Sequence, residues 1–149
     1  MREMESGVLV LTLRDGEDAL EGLRRTADEH RIRSGLILSG VGMMRELTLG
    51  YFKGGGEYGE VKMEGPVELT SMQGNIGMSE EGRVFHIHVT CGTDEGKVYG
   101  GHLVSGTVNV VNEIAILKLN RIQLDRELNP ETGLLELRVT DRGREKDGD

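Results

Sequence analysis

The chain has no tryptophan and only two phenylalanines and three tyrosines in 149 residues. Nucleic-acid binding by base stacking needs exposed aromatics beside basic residues, and little here could supply them. Its single cysteine, Cys91, excludes an intrachain disulfide. Basic residues are outnumbered, with 18 Lys and Arg against 26 Asp and Glu, for a net charge of −8. Such a field repels DNA and anionic membranes. No apolar run approaches a membrane span. The run Val8–Leu11, behind a charged start from Met1 to Gly7, is too short for a signal peptide. A cytoplasmic protein is expected. Proline occurs twice, whereas glycine occurs 23 times. That composition suits many short strands joined by glycine turns, and the length suits one domain with a normal core.

Histidine is also scarce, yet three of the four stand in one stretch, Arg83 to Leu103: His86, His88 and His102. Side chains alternate across a strand, so His86 and His88 share a face with Val84 and Thr90. Phe85, Ile87, Val89 and Cys91 point the other way, which makes Cys91 a core thiol and argues against a Cys–His catalytic pair. Asp94-Glu95-Gly96 suits a three-residue hairpin loop with Gly96 in the left-handed conformation. Under that loop Thr93 faces Lys97, Val89 faces Gly101, His88 faces His102 and His86 faces Val104. Directly opposed residues have Cβ atoms roughly 5 Å apart. A two-residue loop would instead set His102 opposite Ile87, on the wrong face. Paired histidines can simply line the wet face of a sheet. Three converging imidazoles favour a metal: zinc by ligand preference, with an open fourth position as in catalytic sites. Ligand type alone does not select zinc over nickel, iron or manganese.

Elsewhere the spacing predicts an apolar strand at Val8–Leu13 and a turn at Arg14-Asp15-Gly16. An amphipathic helix follows, from about Glu17 to Arg31, capped by Asp15 or Asp18. His30, near its C-terminus, suits the helix dipole. Strands are expected at Leu36–Ser39 and Glu46–Phe52, followed by a mobile glycine-rich loop at Lys53–Gly59. Neither Gly40-Val-Gly42 nor Gly54–Gly56 has the context of a nucleotide-binding loop. Val67–Met78 reads as a long strand and Ser79–Gly82 as its turn. Thr107–Leu119 is apolar on both faces, which implies burial on both sides, one of them by a second subunit. Glu113 inside that strand needs a partner: the metal, a histidine, or an ion pair between subunits. Asn129–Gly133 is a turn, Leu134–Val139 the last strand, and residues 141–149 a disordered polar tail. The expected fold is α+β: a mainly antiparallel twisted sheet of about seven strands with one principal helix packed on it, spanning residues 1–140.

His86-x-His88, a short turn, then Gly100-Gly101-His102-Leu103 resembles the PPC domain family (plants and prokaryotes conserved, also called DUF296). Gly40-Val-Gly42, Leu49-Gly-Tyr-Phe52 and Asn112-Glu113 look like that family too, so the resemblance runs from about Val8 to Val139. It implies a compact α+β domain assembled as a homotrimer, with His86, His88 and His102 as metal ligands. Prokaryotic members are commonly described as DNA-binding. Plant members carry a separate AT-hook, which is missing here: Arg142-Gly-Arg144 lacks its proline and is flanked by Asp141 and Glu145.

Three functions remain in contention. The first is a trimeric metal protein that binds a small molecule or acts on one. The second is a DNA-binding protein, which would rely on a local patch of Arg24, Arg25, Arg31 and Arg33 against the net charge. The third is a structural oligomerisation module. No residue pattern names a catalytic residue or an organic cofactor site.

Overall fold

A computed structural model describes residues 2–5 and 7–141. Nine strands and one helix follow in the order β1 (Arg2–Glu5), β2 (Val8–Arg14), α1 (Ala19–Glu29), β3 (Gly35–Gly54), β4 (Glu57–Met63), β5 (Val67–Ser79), β6 (Gly82–Gly92), β7 (Val98–Lys118), β8 (Ile122–Leu128) and β9 (Leu135–Asp141). The architecture is mostly β with one short helix, more strands than the seven expected. The sheet is mixed, because β5 runs parallel to β8 through Met78 and Asp125. The proposed tail lies outside the described residues except for Asp141, which ends β9.

The expected strands at Leu36–Ser39 and Glu46–Phe52 are one continuous strand, β3. The histidine-bearing strand likewise runs on into Thr107–Lys118 as β7. Both bend on the way. Register shifts interrupt the β3–β7 ladder, and Glu46 (φ 50°) and Val110 (φ 65°) take left-handed backbone. Bulges and such residues let a long strand turn without ending it. Each long strand therefore serves several neighbours. β3 pairs with β5 and β7, β6 pairs with the same two strands, and the four close into a ring. These strands give Ile37, Met44, Leu49, Met72, Ile76, Ile87, Val89 and Leu103 to the buried core cluster.

The segment Lys53–Gly59 is no open loop. Lys53 and Gly54 end β3, Glu57–Gly59 begin β4, and the turn between them carries positive φ at Gly54, Gly55 and Gly56. Asp18 is the helix cap, its Oδ1 accepting from Glu21 N (2.9 Å). The helix stops at Glu29, two residues early. Arg31 turns left-handed (φ 52°) and Ile32 N–H reaches back to Ala27 O (2.8 Å), closing the last turn. Its buried stripe is Ala19, Gly22, Leu23, Thr26 and Ala27, and Gly22 lies close against Leu13 of β2.

Burial on both faces does not hold for Thr107–Leu119 within one chain. Val108, Ile114 and Ile116 are buried. The opposite face is partly open: Val110 is 63% exposed, and Val10 and Val41 on the flanking strands are about half exposed.

Candidate metal centre

The hairpin β6–β7 sets the site. Thr93 N donates to Lys97 O (2.9 Å) and Gly96 N to Thr93 O (3.0 Å), and Gly96 carries φ 77°. The three-residue loop is therefore the one formed. His88 pairs with His102 and Val89 with Gly101, the register the sequence implied. That ladder stops at His88, so His86 and Val104 are not a pair. His86 nevertheless turns to the same side. Its ring centroid lies 5.0 Å from that of His88 and 5.5 Å from that of His102, and the last two are 5.7 Å apart. One ligand nitrogen from each ring falls within 4.8 Å of the others.

Close backbone packing holds His86 in place. On its other side β6 pairs with β5, setting Asn75 opposite His86 and Gly74 opposite Ile87. A Cβ on Gly74 would stand 2.0 Å from His86 O, so only glycine permits this approach.

The site is also electrically unusual. Burial, more than its neighbours, lowers the His86 pKa, and Arg126, His88 and His102 push the same way. Burial lowers His102 too, with His88 second. Both rings are therefore neutral at pH 7, the form that ligates metals. Three imidazoles grouped this closely fit a divalent ion such as zinc.

Sequence reasoning missed Arg126. It sits on β8 and is 8% exposed. Its Nη2 donates to Asn75 Oδ1 and lies 3.3 Å from His86 Nδ1, while Nη1 donates to Leu135 O (3.3 Å). A signal existed: Ile122, Leu124 and Arg126 alternate along β8, so the arginine stands at a position the pattern reserves for an apolar residue. Cys91 is buried among core side chains with its sulfur 3.8 Å from Met63 Sδ, clear of the histidines, as parity implied. Glu113 stands further along β7 opposite Thr12 and Val41, exposed, and takes no part in the cluster of one chain. His30 is the helix C-cap, and its carbonyl accepts from Lys118 Nζ (2.8 Å).

The histidines open into a cleft of about 1250 Å³. Tyr51, Phe52 and Tyr58 form one wall, and the β8–β9 hairpin, with Leu134, Leu135 and Leu137, forms another. The helix arginines suggested for DNA are partly spent: Arg24 pairs with Glu21 and Arg25 with Glu17, both at 2.5 Å. No helix among the described residues is long and apolar enough to cross a membrane.

Fold and site together define a β-rich domain built around a three-histidine cluster in an apolar cleft. The chain belongs to the Plants and Prokaryotes Conserved (PCC) domain family, whose model matches residues 2–120. The metal-containing protein of Archaeoglobus fulgidus is 32% identical, with 92% of this chain and 97% of that one covered at a TM-score of 0.81. A candidate DNA-binding protein of Ralstonia eutropha is 26% identical, with 93% and 96% covered at 0.84. Among curated proteins, a bifunctional protein GlmU of Synechococcus is 28% identical over 130 residues, 87% of this chain. The chain spans only 20% of that relative's length.

Proposed function

We propose that this protein is a homotrimeric metal-binding protein whose His86, His88 and His102 hold one divalent ion, zinc by ligand preference, with a position left open for a small molecule. The observation that carries this reading is the meeting of three imidazole nitrogens within 4.8 Å, two of the rings kept neutral by burial. The metal content of the A. fulgidus relative supports it. A bound ion would polarise a ligand or activate water at the open position. The protein's own share is to fix the rings, bury them and shape the cleft.

Self-association is supported by the uncovered face of β2, β7 and β3. Val10 (52% exposed), Leu38 (49%) and Val41 (46%) stand there with Val110, an apolar row of the kind subunit contacts cover. Glu113 lies in that row, so an ion pair between subunits suits it better than a ligand's role. The reading takes residues 1–140 as one domain, working in the cytoplasm.

Elemental analysis of protein purified without a nickel column, beside His88→Ala, tests the site. One equivalent of zinc per chain, lost in the variant, is expected; wild type without stoichiometric metal defeats the reading. Light scattering should give three times the chain mass.

DNA binding is the second reading, favoured by the description of the R. eutropha relative. The net charge of −8 and the paired helix arginines oppose it. A salt-dependent gel shift would establish it, and no shift at low salt ends it. A purely structural module predicts that chelator leaves melting unchanged, whereas the metal reading predicts destabilisation.

A further inference from the structure

Arg126 is a buried cation without a counter-ion. Among the described residues no carboxylate pairs with it: its partners are Asn75 Oδ1, Leu135 O and the His86 ring, and its buried Nε has none. The two carboxylates that line the same cleft are engaged elsewhere. Glu136 accepts from Asn129 Nδ2 and Thr132 Oγ1, and Glu60 lies 3.9 Å from Lys62 Nζ. A buried charge left unpaired is costly, and such a group is kept where something supplies its partner.

The contact with His86 sharpens this point. Arginine can only donate, so His86 Nδ1 accepts and the ring proton sits on Nε2. Metal binding ends that arrangement whichever nitrogen is used. A metal on Nδ1 occupies the lone pair that Arg126 uses. A metal on Nε2 moves the proton to Nδ1, where it faces another donor. Loading the site therefore frees one N–H of the guanidinium beside a divalent ion, two like charges in one apolar cleft.

We propose that the metal-loaded cleft takes a small oxyanion, a carboxylate or phosphate on an apolar body, with Arg126 as its receptor beside the metal. Charge favours the head group, which relieves the repulsion between ion and guanidinium, and the planar N–H fork of arginine matches either oxyanion. The aromatic and leucine walls suit the body: Tyr51, Phe52 and Tyr58 on one side, Leu134, Leu135 and Leu137 on the other. Arg126 lies beyond the segment matched by the family model, on the hairpin that closes the cleft.

This inference rests on the metal reading, and the test separates the two. Metal content is measured first. Cobalt-loaded protein is then titrated with benzoate, phenyl phosphate and benzamide, following the visible cobalt spectrum and the heat. Benzoate or phenyl phosphate should bind at least about tenfold more tightly than neutral benzamide, and whichever wins distinguishes carboxylate from phosphate. Arg126→Met should keep the metal and the fold, since an apolar side chain replaces an unpaired buried charge, and lose that preference. Arg126→Lys, with charge but no fork, should fall between. Absence of stoichiometric metal in wild type defeats the metal reading itself. Stoichiometric metal with benzamide equal to benzoate, or an oxyanion preference that survives Arg126→Met, overturns the ligand alone.

Discussion

His88 and His102 are direct cross-strand partners, and the loop that pairs them is set by one residue, Gly96, at φ 77°. Gly96→Ala puts a side chain in backbone that favours glycine, at a cost of about 1 kcal/mol. The pairing is otherwise untouched, so a slightly lower Tm with full metal stoichiometry is expected. Deleting Glu95 is different in kind. It shortens the loop by one residue and turns His102 to the opposite face. Elemental analysis should find metal in the first variant and none in the second.

Gly74 holds His86 from behind. An added methyl would stand 2.0 Å from His86 O and 2.9 Å from Ile87 Cα, both backbone atoms that cannot swing aside. Gly74→Ala must push β6 off β5, and overpacking of this kind costs about 1–3 kcal/mol. Competition with a chromophoric chelator should show weaker metal binding than in wild type. Gly82→Ala is the control: its positive φ (124°) strains the turn, but an added Cβ meets nothing within 4 Å, so its metal affinity should stay at the wild-type level.

The hairpin was legible because its information is local. Spacing at i and i+2 fixes a face, and a glycine at the third loop position fixes a register. The ring of β3, β5, β6 and β7 was not, because the bends that make it carry no local stop signal. Glu46 and Val110 look like ordinary strand residues, yet both turn left-handed so that their strands change partners. β4 escaped notice because it buries little: none of its residues is fully buried, so its pattern is faint. Arg126 was missed for the opposite reason. Its strand alternates clearly, but a charge at an inward position reads as an interruption until the cleft around it is seen.

Cys91 should behave as a core thiol. It is fully buried, burial raises its pKa, and the opposing hydrogen bond with the Tyr99 backbone is the smaller effect. The thiolate is the reactive form, so a colorimetric thiol reagent at pH 8 should label native protein far more slowly than urea-unfolded protein. Labelling of native protein as fast as of the unfolded chain would contradict this placement. Cys91→Ala should leave metal stoichiometry unchanged.

Asp15 ties together the bend in β7. Its Oδ1 accepts from Arg45 Nη1 (2.7 Å) and from Val110 N (2.9 Å), the N–H of the residue held at φ 65°. The Arg45 bond is the main cause of its lowered pKa, and the Val110 bond comes second. A carboxylate whose pKa is lower folded than unfolded stabilises the fold above the unfolded value and loses that contribution as pH falls through the folded one. The unfolded value here is 3.8, so the loss begins near it and is complete only at lower pH. Asp15→Asn keeps an acceptor for Val110 but removes the charge, so it should melt lower than wild type at pH 6. The two should converge as pH drops below 3.8. Thermal melts of both proteins between pH 6 and pH 2.5 would check this, and parallel curves throughout would show that the Asp15 charge does not hold the bend.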